Sequence, residues 1–325
     1  MRVRTRTAWF MVMLLVAVTA LFFFSACQKQ DERKTGPTKL KVVATLFPLY
    51  DFAREVSGGR ADVTLLLPPG VEPHSFEPKP GDVMRLEASD LFIYTGKYME
   101  PWAERMVHAL DRSRVLVVDA SAGIAIEGRA HKRGPAGGKT AGHIHEGPGD
   151  ADPHIWLDLA NAQTMVDTIL AGFVTRDPAN RETYERNAKR YKARLAELDV
   201  RFRSGLEPCK KRVLVHGGHF AFNYLARRYK LQYLAAYSGS PDAEPTARRL
   251  IEMKELLARQ NVHYIFYEEL ITPRVAEIIA KETGAQLLKL NGAHNVTKEE
   301  LIRGTTFLEL MEENLRNLKV GLECT

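Results

Sequence analysis

An α/β fold of two lobes is what this sequence predicts, each lobe a (β/α)4-type unit around a parallel sheet, the two joined by one long rigid helix. Three observations carry that expectation. Short apolar, β-branched runs alternate with longer stretches of helical periodicity. Strands covered on both faces read as continuous apolar runs, and β-then-α alternation is the mark of a parallel sheet flanked by helices. The alternation comes twice, with four runs before residue 120 and four after residue 210, and a single uninterrupted helical stripe lies between.

In chain order, residues 1–26 read as a secretory lipoprotein signal. Arg2, Arg4 and Arg6 form a basic start, Ala8 to Phe24 is almost wholly apolar, and Phe24-Ser25-Ala26 precedes Cys27 as in a bacterial lipobox. Cys27 is then the lipidated first residue of the mature chain, and residues 27–38 are a polar tether. This predicts a periplasmic or cell-surface protein held to a membrane by its N-terminal lipid. No later segment is long and apolar enough to cross a bilayer. Loss of the three arginines lowers the formal charge from +6 to +3, so the pI of 9.1 overstates the basicity. No basic run carries interleaved aromatics, which argues against a nucleic-acid partner.

The first lobe is expected over 39–175. Its strands read as Leu40–Leu46, Val63–Leu67, Leu91–Thr95 and Val115–Asp119, with helical patterns at Leu49–Ser57, Pro80–Ala88, Tyr98–Leu110 and Leu157–Phe173. A Gly-rich insertion at 127–149 holds His131, His143 and His145. Residues 176–207 form the connector: Tyr184, Ala188, Tyr191, Leu195, Leu198 and Phe202 fall on one helical stripe. Asp177-Pro178 is expected as its N-cap and first helical residue. About 28 residues at ~1.5 Å each make a rod of about 40 Å, stiff enough to allow small tilts of the lobes and no wide hinge. The second lobe, 208–325, repeats the scheme with strands Val213–His216, Gln232–Tyr237, Tyr264–Tyr267 and Gln286–Leu290. Its helices read as Phe220–Tyr229, Pro245–Arg259, Pro273–Thr283 and Lys298–Leu318. Cys209 and Cys324 are candidates to pair in an oxidising compartment, stapling the C-terminus to the second lobe.

Open α/β sheets bind ligands beyond the carboxyl ends of their strands. His74 follows the second strand on a loop stiffened by Pro68, Pro69 and Pro73, and a stiff loop loses less entropy on binding. His154 stands in Asp152-Pro153-His154 at a loop-to-helix junction, and His219 opens a helix after Gly217-Gly218 and is favoured over His216, which competes for the same role from the strand end. The expectation is that three of these imidazoles meet at one cation between the lobes. Neutral imidazoles suit Zn²⁺, commonly four-coordinate. For the fourth position His294, Asn291, Glu268, Glu269 and water all stand open. A filled shell favours capture, whereas an open water-bearing position suits hydrolysis. No HExxH is present to supply a hydrolase's general base, and no chemistry on a bound substrate is expected. A surface adhesin with incidental histidines is the other alternative.

Together the lipobox, PPGVEPHSFEP, DPHIWLD, HFAFNYLARRY, EPTARRL and GAHNVTKEEL resemble, in the same order, the metal-binding lipoproteins of ABC transporters for zinc and manganese. The resemblance spans essentially the whole mature chain. It implies two (β/α) lobes joined by one long helix, a metal site in the cleft between them, and His74, His154 and His219 as ligands. Asn291 sits where manganese binders place Asp, and His294 lies near where some zinc binders use Glu, which favours Zn²⁺ over Mn²⁺ as the carried ion. The 127–149 insertion is similar to a shortened His-rich loop of zinc-type members, so His131, His143 and His145 are expected as an accessory, low-affinity zinc collector. The implied partners are a membrane permease and its ATPase, with the binding protein itself a monomer.

Overall fold

The structure is a computed structural model that describes residues 39–126, 151–237, 245–270 and 272–324. Cys27, His131, His143 and His145 lie outside the described residues, as do the signal and tether. Among the described residues no helix is long and apolar enough to cross a membrane.

The first lobe is built from β1 (Leu40–Ala44), α1 (Phe47–Ser57), β2 (Ala61–Leu65), α2 (Pro80–Glu87), β3 (Leu91–Tyr94), α3 (Pro101–Ala109), β4 (Leu116–Asp119) and α4 (Leu159–Arg176). The long helix α5 (Arg181–Leu206) follows, then β5 (Val213–His216), α6 (Asn223–Arg228), β6 (Gln232–Ala235), α7 (Ala247–Gln260), β7 (Tyr264–Tyr267), α8 (Arg274–Thr283), β8 (Gln286–Lys289), α9 (Lys298–Arg303) and α10 (Phe307–Gly321). The sheets have the same topology, β2-β1-β3-β4 and β6-β5-β7-β8, and every pairing is parallel. In each sheet the order reverses beside the first strand, so the crevices at the carboxyl ends of β1/β3 and β5/β7 are the places where such sheets bind ligands.

All six stripe residues of α5 are buried at 2% exposure or less. This face packs on α1 and α4 of the first lobe and on α10 of the second. Burying each large side chain is worth roughly 1.5–3 kcal/mol, so the rod is held by packing along its length, with Arg and Lys on the solvated side. Its start differs from expectation. Asp177-Pro178 opens a separate 3-10 turn, Pro178–Asn180, and α5 begins at Arg181. Asp177 and Pro178 take the expected cap and first positions on that turn instead of on α5, and the Asp177 carboxylate accepts from Tyr184 Oη at 2.6 Å and Asn180 Nδ2 at 2.7 Å.

The expected helix Lys298–Leu318 is two helices. Gly304, at φ +78°, ends α9 in the left-handed region that glycine adopts at no steric cost. Thr306 then restarts the chain as α10 with a reciprocal Thr306/Glu309 cap. Cys209 and Cys324 form a disulfide across a sequence separation of 115, fastening the chain end to the segment after α5.

Candidate metal centre

His74, His154 and His219 converge. His154 Nε2 lies 3.3 Å from His74 Nε2 and 3.2 Å from His219 Nε2, and one donor atom from each falls within 4.8 Å of the other two. Tetrahedral zinc with nitrogens at about 2.0–2.1 Å requires N···N separations of about 3.3 Å. His154 and His219 are buried, at 0% and 1% exposure, and His74 is half-buried.

Carboxylates set which way two of these rings face and hold the backbone of all three. Asp152 Oδ1 accepts from the His154 backbone N–H at 3.2 Å and lies 2.8 Å from His154 Nδ1. Glu268 repeats the device from the end of β7: Oε1 accepts from the His219 backbone N–H at 3.0 Å, and Oε2 lies 2.5 Å from His219 Nδ1. Glu72 Oε1 accepts from the His74 backbone N–H at 3.0 Å. A carboxylate at Nδ1 keeps the proton there and leaves the Nε2 lone pair outward. The His154 and His219 Nε2 atoms then lie 3.2 Å apart, a pair that repels while both rings are neutral and that a shared proton or a metal cation relieves. Gly218 belongs to the same design, because a Cβ there would collide with both Glu268 and His216.

Burial alone would raise the Glu268 carboxyl, but the His219 ring outweighs it and holds the acid down at about 2. The same pair works the other way on His219: burial disfavours its charged form, and Glu268 more than offsets this and raises it. Burial pushes His294 down to about 4, with the neighbouring His219 acting in the same direction, so its imidazole is neutral and available as a donor near neutral pH.

Of the open candidates for the fourth position, His294 has both ring nitrogens buried without a hydrogen-bond partner. Its ring centroid is 6.2 Å from that of His219, and its Nε2 is 3.9 Å from Glu72 Oε2. The others are at least partly engaged. Asn291 Oδ1 accepts from Ala293 N at 2.7 Å, Glu268 holds His219, and Glu269 Oε2 accepts from Gly292 N at 2.9 Å while its buried Oε1 has no hydrogen-bond partner. Burial raises Glu269 to about 8, which keeps it protonated near neutral pH. His216 is not part of the cluster. Its Nδ1 donates to the His219 carbonyl at 3.2 Å and its ring packs on Phe222.

Sequence reasoning did not assign the holding carboxylates. Two of them carried a local signal, since Glu72-Pro73-His74 and Asp152-Pro153-His154 share one carboxylate-Pro-His spelling. Glu268, 49 positions from His219, carried none.

Two parallel-sheet lobes on a common rod, with imidazoles converging between them, define a binding protein for a transition-metal cation. Residues 42–321 match the family described as ZnuA, zinc-uptake complex component A, periplasmic. The high-affinity zinc uptake system protein ZnuA of Bacillus subtilis is 34% identical over 95% of this chain and 97% of its own length. The zinc-binding lipoprotein AdcA of Streptococcus pneumoniae is also 34% identical over 95% of the chain, which spans only 60% of that longer relative. Among solved structures, the metal-dependent lipoprotein YcdH of Bacillus subtilis is similar with a TM-score of 0.74 and 36% identity, covering 87% of this chain and 100% of that one. The Zn(II)-bound ZnuA-like domain of Streptococcus pneumoniae AdcA gives 0.73 and 32%, covering 88% and 100%. The chain belongs to the zinc-uptake component A family.

Proposed function

We propose that this protein is the extracytoplasmic substrate-binding component of an ABC importer. It captures Zn²⁺ with His74, His154 and His219 and hands it to a membrane permease driven by its ATPase. The carrying observation is the Nε2 spacing of 3.2 and 3.3 Å, which matches the N···N edge of a tetrahedral zinc site, with carboxylates at Nδ1 of His154 and His219 turning two of the rings toward it. All-nitrogen donors favour zinc over manganese, which prefers oxygen ligands. His294 is the fourth donor in this reading, reached by a small shift of its ring. A protein-filled shell suits capture rather than turnover, and no hydrolysis is expected. Cys27 carries the lipid anchor, and His131, His143 and His145 form the collector loop.

Competition titration with a zinc chelator tests the ligand assignment. His74→Ala, His154→Ala and His219→Ala should each lose most of the affinity, and His216→Ala, if it folds, should keep it. Wild-type affinity in all three of the first set would overturn the proposal.

A further inference from the structure

His74 sits on a loop that its own lobe holds by packing, with Phe76 edge-on to Trp102 at 5.0 Å between ring centroids. Pro68, Pro69 and Pro73 have no N–H to donate, and the loop's few amides serve mainly short-range partners: Val71 N–H goes to Pro68 O at 3.2 Å and His74 N–H to Glu72. Long-range hydrogen bonds to the loop come from the other lobe. Asn295 is fully buried, and its Nδ2 donates at 2.8 Å to both Pro68 O and Val71 O. Its Oδ1 accepts from Val296 N at 2.8 Å, so the carboxamide uses both donors and its acceptor at once. Gly70 N–H closes the junction onto Val296 O at 2.9 Å.

The segment that carries Asn295 is itself bound to the first lobe. Phe47 N–H donates to His294 O at 3.1 Å, and Trp156 Nε1 donates to Gly292 O at 2.8 Å. Ala293, wholly buried, is held at φ +55°, a left-handed conformation that a non-glycine residue keeps only when its surroundings impose it.

We infer that Asn295 is a positioning residue for zinc capture: a cross-lobe clasp that presents His74 to the other two histidines. This rests on His74 being a zinc ligand, as proposed above. A carboxamide is the side chain that fits, because two carbonyls must be met by two donors on one short stem. The clasp makes the His74 loop a reporter of lobe arrangement. A tilt of the second lobe that pulls Asn295 off Pro68 and Val71 frees His74 and weakens the site, and zinc at His74 must tighten the clasp by the same factor, since such coupling is reciprocal.

A double-mutant cycle read by zinc competition titration tests this. Asn295→Ala in the wild-type background should weaken zinc binding by about 10–100-fold, the range for groups that orient ligands. In the His74→Ala background it should cost less than about twofold, because the ligand it positions is gone. An equal loss in both backgrounds, or none in the wild type, overturns the inference. Unchanged affinity in His74→Ala alone overturns the ligand assignment beneath it, and the inference with it. Should Asn295→Ala fail to fold, amide exchange on the unmutated protein decides. Zinc should raise protection of the Gly70 N–H, and His74→Ala should abolish that rise; protection indifferent to zinc overturns the clasp.

Discussion

Replacing Glu268 by Gln tests the claim that carboxylates aim the lone pairs. The side chains have the same shape, so the buried packing survives. Glu268 makes two contacts to one residue, Oε1 with the His219 N–H at 3.0 Å and Oε2 with His219 Nδ1 at 2.5 Å. Gln keeps an acceptor for the backbone N–H but presents an amino group to Nδ1. Two donors then face each other, and the ring relieves this by moving its proton to Nε2, which removes the lone pair from the metal position. Loss of such an orienting group costs about 10–100-fold in metal affinity, or about 1.4–2.7 kcal/mol. Glu268→Ala behaves differently: it leaves the tautomer free but strands the buried His219 N–H, at about 1–3 kcal/mol of stability. Chelator competition for affinity, with thermal unfolding of the zinc-free protein, separates the two. Both should lower melting, since each removes the charge that pairs with His219, but only Gln drives the proton onto Nε2, so Gln should lower affinity further than Ala. A Gln variant that binds zinc like the wild type would refute the tautomer argument.

Zinc affinity should fall as pH drops through the imidazole range, since protons compete for the ligand nitrogens; Glu268, held at about 2, stays ionised throughout, and a pH-independent affinity between 5 and 8 would contradict the site. Burial raises Asp51 from 3.8 to about 6, against hydrogen bonds from Phe307 N and Tyr191 Oη. Its folded pKa lies above its unfolded one, so its contribution is fully present below pH 4 and is lost as pH rises through 6. Asp51→Asn should therefore be more stable than the wild type at pH 7, by up to about 3 kcal/mol at ~1.4 kcal/mol per pKa unit. That advantage should vanish near pH 4 in urea unfolding; an advantage independent of pH would count against it. Cys324→Ser removes a crosslink over 115 positions and should cost about 2–5 kcal/mol of stability while leaving zinc affinity unchanged, as measured by thermal unfolding and titration.

The β/α alternation and the rod were legible because they depend on local periodicity. Tyr184 through Phe202 spell their buried face without help from the rest of the chain. The failures lie where a few side chains choose between local partners. Asp177 had the spelling of the rod's cap but caps the short turn ahead of it, its carboxylate taken by Tyr184 and Asn180. The apolar periodicity of α9 and α10 ran through Gly304 and masked the break, although Gly304 and the Thr306-x-x-Glu309 cap spell a stop and a restart. At the site, the prolines before His74 and His154 marked rigid presentation, but the choice between His216 and His219 turned on which ring faces the cleft. That is set by Glu268, a long-range contact that no spacing encodes. Asn295 was hidden for the same reason, since its partners Pro68 and Val71 lie more than 220 positions away.

X-ray absorption at the zinc edge, on the stoichiometrically loaded protein, probes the centre of this account most directly. The first shell should fit nitrogen at about 2.0–2.1 Å with the multiple-scattering pattern of at least three imidazoles, falling by one in each of His74→Ala, His154→Ala and His219→Ala. A shell dominated by oxygen, or an imidazole count that does not change in those variants, would contradict it.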